Sequence, residues 1–292
     1  EQISALHTAV MYSFSMTRGV IMQVGDYSTE IIRFNRRVIT NSVSLPFGTI
    51  QLLEKVQNEN MSGRMDKVVS IISAELKKLD WLYNLDEESE FIGVGEVFEA
   101  LGKLSRKSTR YPIELAHNYK VTTESFQNVY NLIRGLDLDK AKKLKGISEK
   151  RADLISIGLA VVKAAYNEFV VGSMKVSING EMYGIVAKNL LGQTGEKPLL
   201  DILGYSLSTI NEFFPTCINQ DSNYSLAVIL YRQLKVLHKL TRPYVKVLRI
   251  AASLCMAGKR IGFENYMKNN FPVILNSTIY GASHKDVILS AF

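Results

Sequence analysis

Three short turns carry most of the residues whose types and spacing could do chemistry: Gly25-Asp26-Tyr27-Ser28-Thr29-Glu30, Gly93-Val94-Gly95-Glu96 and Ser177-Ile178-Asn179-Gly180. Each leaves a run of β-type residues. Glycine at such a place permits close backbone approach, and convergent N–H groups can cradle an anion. Behind Gly95 a helical pattern starts at once, so a helix N-terminus would add its own positive field. The chemistry within reach is phosphate binding, with Gly25 and Gly95 as backbone positions and Ser28 and Thr29 as hydroxyl donors. The same two hydroxyls suit plain hairpin-turn formation equally well. Metal and thiol chemistry find little support. His7, His117, His238 and His284 share no ligand spacing, and Cys217 and Cys255 form neither a Cys-x-x-Cys nor a Cys-His pattern.

The elements that must position these turns follow from periodicity. Residues 1 to about 16 read as the end of a helix already under way. The runs Val20 to Val24, Glu30 to Phe34 and Val38 to Leu45 are β-rich and turn-separated, which predicts an antiparallel three-strand meander. A helix opens at Pro46, and a second spans Arg64 to Trp81 with Val68, Val69, Ile72, Leu76 and Leu79 on one face. Past the acidic link Asp86-Glu87-Glu88, a strand from Glu90 to Gly95 feeds a helix from Val97 to Lys107. Helices over Thr123 to Arg134 and Glu149 to Glu168, the latter capped by Ser148, lead to a strand from Met174 to Asn179 and a helix ending near Leu190. The stretch from Leu191 to Pro198 has the composition of a domain link, and everything beyond it reads as helical, with Leu226, Ile229, Leu230, Leu234 and Leu237 in one stripe. The chain thus divides into an entering helix (1–16), an α/β lobe (17–192) and a helical module (193–292).

With 292 residues, 47% of them hydrophobic and 22% charged, the composition is that of a globular protein with a sizeable core. No apolar run reaches membrane-spanning length and the first residues lack signal-peptide order, so a cytoplasmic location and no membrane partner are expected. A net charge of +7 suits an anionic ligand without identifying it. The segment Lys142-Lys-Leu-Lys-Gly-Ile-Ser-Glu-Lys-Arg-Ala152 is similar to a helix-hairpin-helix, although Ser148 stands where a second glycine is needed. Nucleic acid is therefore not the expected partner; a lysine-arginine stripe converging on that turn would be its sign.

Taken with Ser44-Leu-Pro-Phe-Gly48 and Gly146-Ile-Ser-Glu-Lys-Arg-Ala-Asp153, the order of the three turns resembles the exopolyphosphatase and guanosine pentaphosphate phosphatase family over nearly the whole chain. The resemblance implies a ribonuclease-H-like lobe of the actin-like ATPase superfamily, followed by an all-α module related to HD phosphohydrolases. It also implies that the family's first lobe is not in these residues. The implied reaction is magnesium-dependent release of terminal phosphate from polyphosphate or guanosine pentaphosphate. Its general base would be a glutamate before the second lobe, for which spacing back from Gln23 gives Glu1. A homodimer through the helical region is implied as well.

The same resemblance exposes departures. The family loop Asp-Ile-Gly-Gly-Gly-Ser-Thr-Glu is here Gln23-Val24-Gly25-Asp26-Tyr27-Ser28-Thr29-Glu30, so the magnesium-holding Asp is the neutral Gln23. Asp26 would repel phosphate and the Tyr27 ring would fill its space. The family's Gly-Gly-Thr is Gly95-Glu96-Val97, and its Ser-Asp-x-Gly-x-Arg-Glu-Gly is Ser177 to Gly184 without the Asp or the Arg. In the helical module Cys255-Met256-Ala257-Gly258 and Tyr266-Met267-Lys268-Asn269 replace His-Asp and His-His-x-His, which leaves no metal site. The expectation is a weakly active or inactive exopolyphosphatase-like protein. The alternatives are a regulatory or scaffold protein binding nucleotide or a partner chain, and an active enzyme relying on the first lobe.

Overall fold

The computed structural model describes residues 1–83, 85, 89–169, 172–194, 201–214 and 220–292. The acidic link and the second half of the expected domain link (195–198) lie outside these residues, as does Cys217, whereas 191–194 belong to a helix. The described chain forms two compact units: residues 1–11 with 16–196, and residues 12–15 with 197–292.

The first unit begins with α1 (Gln2–Met11), followed by β1 (Arg18–Val24), β2 (Thr29–Asn35) and β3 (Val38–Leu45). The three strands form the antiparallel meander, with Gln23 opposite Glu30 and Glu30 opposite Ser44. Then come α2 (Thr49–Val56), α3 (Met61–Leu76), β4 (Glu90–Val94), α4 (Glu96–Ser108), β5 (Lys120–Thr122), α5 (Thr123–Arg134), α6 (Leu138–Lys142), α7 (Ala152–Glu168), β6 (Ser173–Ser177) and α8 (Glu181–Thr194). The sheet order is β3-β2-β1-β4-β6-β5, with β1, β4 and β6 parallel and β5 antiparallel to β6. A meander continued by parallel strands through helical crossovers is the ribonuclease-H-like arrangement of actin-like ATPase lobes.

Strand side chains alternate between faces. Val20, Met22, Val24 and Ile31 join one core with residues of α3, α4 and α7, whereas Gln23, Glu30, Ile21 and Ile32 point to the face on which α1 and α8 pack. Gly184 lets those two helices meet, because a β-carbon there would run into the Ala5 carbonyl.

Several boundaries differ from expectation for local reasons. The helix after β3 starts at Thr49 rather than Pro46, since Gly48 is pressed against the Asp26 backbone where a β-carbon has no room. The next helix starts three residues earlier than Arg64, because Asn60 caps it by accepting from the Gly63 N–H at 2.8 Å, and it ends at Leu76. The three-residue β5 was not foreseen; a strand that short leaves no periodicity to read. Asn179 lies outside β6, in a turn where Ser177 Oγ donates to its carbonyl at 3.0 Å.

In the second unit the described residues form α9 (Ile202–Phe213), α10 (Gln220–Gln233), α11 (Lys235–His238), α12 (Tyr244–Leu254), α13 (Tyr266–Asn276) and α14 (His284–Ala291). The stripe expected along α10 and α11 is left open: Leu226, Ile229, Leu230, Leu234 and Leu237 are 46–77% exposed. No helix among the described residues is long and apolar enough to cross a membrane.

Candidate functional site

At the C-terminal ends of the adjacent parallel strands β1, β4 and β6, the three turns come side by side. Gly95, at φ +93°, occupies a backbone conformation that side chains resist, and a β-carbon on it would lie against Gln23. It begins α4, accepting from the Glu99 N–H at 3.0 Å. Gly25 closes the turn after β1 by donating its N–H to the Ser28 carbonyl at 2.9 Å. The first two N–H groups of α2 are already taken: Thr49 donates to the Gly25 carbonyl at 3.0 Å and Ile50 to that of Asp26 at 3.1 Å. A helix start that could face an anion instead braces the turn.

Both hydroxyls proposed as phosphate donors are also spent. Thr29, fully buried, donates to the Phe47 carbonyl at 2.7 Å, and Ser28 Oγ lies 2.5 Å from Glu30 Oε1. The Tyr27 ring does not fill the phosphate space as expected. It is 67% exposed, because the turn directs it outward into solvent.

Asp26 does not stand as a bare charge either. Arg151, immediately before α7, donates Nη2 to Asp26 Oδ1 at 2.5 Å and Nη1 to Oδ2 at 3.2 Å. Its Nε lies 2.5 Å from Glu96 Oε2 as an ion pair lacking hydrogen-bond alignment. Thr49 Oγ1 adds a bond to Asp26 at 3.1 Å. One guanidinium thus spans the two carboxylates that occupy glycine positions of the family's turns. The Arg151 hydrogen bonds hold the Asp26 carboxyl below the usual range, and Asp26 in turn raises Arg151. Next to the clamp, burial and then the Glu96 charge push the Glu99 carboxyl up.

On the opposite face of the sheet, Gln23 Oε1 and Glu30 Oε2 are buried oxygens without a hydrogen-bond partner. They sit on adjacent strands at paired positions. Oxygen donors of this kind are what a hard cation takes, so in donor type Gln23 and Glu30 fit magnesium. Among the described residues no group of three or more His, Cys, Asp or Glu residues could hold a metal. Glu1 is exposed, and α1 is oriented by its other end: Met11 accepts from Arg37, and His7 meets the Phe34 ring edge-on at 6.0 Å. This turns the Glu1 end towards the Gly25 end of the sheet. Gln23, Gly25, Ser28 and Gly95 are therefore brought together, while Thr29 is withdrawn into the core.

Sequence reasoning missed Arg151 and Glu30 as functional candidates. Arg151 did leave a signal: a cation at a helix start opposes the macrodipole and calls for nearby carboxylates.

The profile of the Ppx/GppA phosphatase family matches residues 4–193. The chain belongs to the Ppx/GppA phosphatase family. Its fold is similar to that of the Aquifex aeolicus member of the Ppx/GppA family, with 19% identity, a TM-score of 0.58, and coverage of 66% of this chain and 63% of that one. An exopolyphosphatase from Cytophaga hutchinsonii gives 17% identity and a TM-score of 0.60, covering 65% and 63% of the two chains. This chain therefore spans less than two thirds of the length of these relatives. A comparison with curated proteins finds no match. In the second unit, Asn270 bridges the Cys255 carbonyl and the Gly258 N–H, the latter at 2.6 Å.

Proposed function

We propose that this chain is part of an exopolyphosphatase-type protein, directed at polyphosphate or guanosine pentaphosphate, whose hydrolysis of terminal phosphate is weak or absent. The Asp26–Arg151–Glu96 clamp carries this reading. Cleavage by water needs a base for the proton and free donors for charge developing on the phosphoryl oxygens. In this chain the cation best placed to meet phosphate is neutralised by two carboxylates, and the N–H groups opening α2 are consumed by the turn. Glu1, at the start of α1, is the base in this reading. Gln23 and Glu30 would hold magnesium, which when bound neutralises phosphoryl charge.

The unpartnered oxygens of Gln23 and Glu30 favour a second reading, an active exopolyphosphatase that draws most of its phosphate contacts from a first lobe. A regulatory protein that binds nucleotide or a partner chain without turnover is the third. A homodimer through the helical module belongs to the leading reading and is supported by the open stripe of α10 and α11; a cytoplasmic setting belongs to it too.

Phosphate release from polyphosphate and guanosine pentaphosphate by the intact protein, with and without magnesium, separates these readings. No release above a blank is expected. Magnesium-dependent release that disappears in Glu1→Gln would establish the active enzyme instead.

A further inference from the structure

At the far end of α4, Lys103, Arg106 and Lys107 fall at the i, i+3, i+4 spacing of one helix face, and Arg110 stands in the turn just beyond the helix at φ +50°. They line a concavity of about 300 Å³ that Tyr111 and Glu114 close from the following loop. Like charges on one helix face repel and weaken the helix modestly unless carboxylates are interleaved. Lys103, Arg106 and Arg110 form no ion pair among the described residues, and Glu114 is the one carboxylate lining the concavity.

Arg106 is the unusual member. Its guanidinium lies over the Tyr119 ring at 5.2 Å, and its Nη1 is buried without a hydrogen-bond partner. Burial disfavours the charged guanidinium, Glu114 is the one carboxylate acting on it, and an oxyanion at its accessible edge would offset part of that cost. Lys107 adds a second link by donating to the Lys145 carbonyl at 2.6 Å. Gly146, at φ +141°, packs its open side on Leu104 and the Lys103 stem, so the basic face converges on the turn that carries Lys142, Lys143 and Lys145.

We propose that this concavity is a second anion site, which holds phosphate groups of an oligophosphate chain through Lys103, Arg106 and Arg110. Along α4, Lys103 lies about 12 Å and Arg106 about 16 Å from Gly95, apart from the clamp. A basic stripe converging on the Gly146 turn is the sign expected of nucleic acid, and the aromatic side chains of the site decide for an inorganic phosphate chain instead. Tyr111 and Tyr119 are packed edge to face on each other at 4.9 Å, leaving no ring free as a stacking platform for bases. The source of the ligand rests on the polyphosphate reading above; the existence of an anion site does not.

The test is titration of tripolyphosphate into the intact protein by calorimetry, with turnover not part of the readout. The expected result is saturable binding that falls at least tenfold in Arg106→Gln. It should fall similarly in the surface variant Lys103→Gln/Arg110→Gln, which leaves the half-buried residue alone and keeps the test sound if Arg106→Gln does not fold. Arg151→Gln should still bind tripolyphosphate at this site. Absence of wild-type binding, or affinity unchanged in the Lys103→Gln/Arg110→Gln protein, overturns the proposal. A single-stranded oligonucleotide that binds as tightly as tripolyphosphate, with the same loss in these variants, overturns the assignment to a phosphate chain in favour of nucleic acid. Magnesium-dependent release of phosphate from polyphosphate, with binding at this site retained, would count against the weak-or-inactive reading alone.

Discussion

At Arg151 one guanidinium meets carboxylates from two separate turns. The pairs are partly exposed, with about a third of the Arg151 and Asp26 side chains open to solvent, so the clamp contributes only about 1 kcal/mol to stability. Arg151→Gln should lower the urea midpoint by that modest amount at pH 7. The Asp26 carboxyl is depressed, so this contribution is full above its ordinary value of 3.8 and is lost as pH falls through the lower folded value. The difference between wild type and Arg151→Gln should therefore close at acid pH; a gap that persists there would mean Arg151 acts through packing. Thr29→Val, which removes a buried donor from the Phe47 carbonyl, should cost about 1 kcal/mol and leave tripolyphosphate affinity unchanged. A loss of affinity would return Thr29 to the phosphate site. The departures at Gln23, Asp26 and Glu96 were legible through the resemblance to the family's loops. Their joint neutralisation was not, because Arg151 is distant in sequence and only folding brings it across both turns.

Among the elements, α1 and α8 cover the face of the sheet that holds Gln23 and Glu30. Their contact depends on Gly184, so Gly184→Ala should destabilise by about 1–3 kcal/mol, read from denaturant unfolding. A neutral outcome would mean that the helices separate freely. His7 on α1 offers a pH probe of the same layer. Burial, then the Arg37 charge, lowers it from 6.5 to about 4, so the folded protein keeps it neutral where the unfolded chain would protonate it. Stability should consequently fall as pH drops from 6.5 towards 4, by at most about 3 kcal/mol, and His7→Gln should flatten that slope. An unchanged slope would place the acid sensitivity elsewhere. The strands were legible because short β-rich apolar runs ended at turn residues. The start of α2 was not, since it is set by contact between Gly48 and the Asp26 backbone rather than by Pro46.

For the whole molecule, the described chain is an α/β unit of the Ppx/GppA family and an all-helical unit whose α10 and α11 leave apolar residues exposed. That stripe was read correctly as one face, but periodicity cannot tell a covered face from an open one. The basic balance of +7 was likewise legible, whereas its concentration at the far end of α4 emerges only when the Gly146 turn folds against that helix. The central claim is that a carboxylate clamp holds the phosphate cradle closed. The measurement that tests it most directly is magnesium-dependent phosphate release from polyphosphate by the intact wild type and by Asp26→Gly/Glu96→Gly, which frees Arg151. The account predicts wild-type release at the level of the blank and at least a tenfold rise in the double variant. Wild-type turnover in the ordinary enzymatic range of roughly 1 per second or more, unchanged or reduced in the double variant, would contradict it.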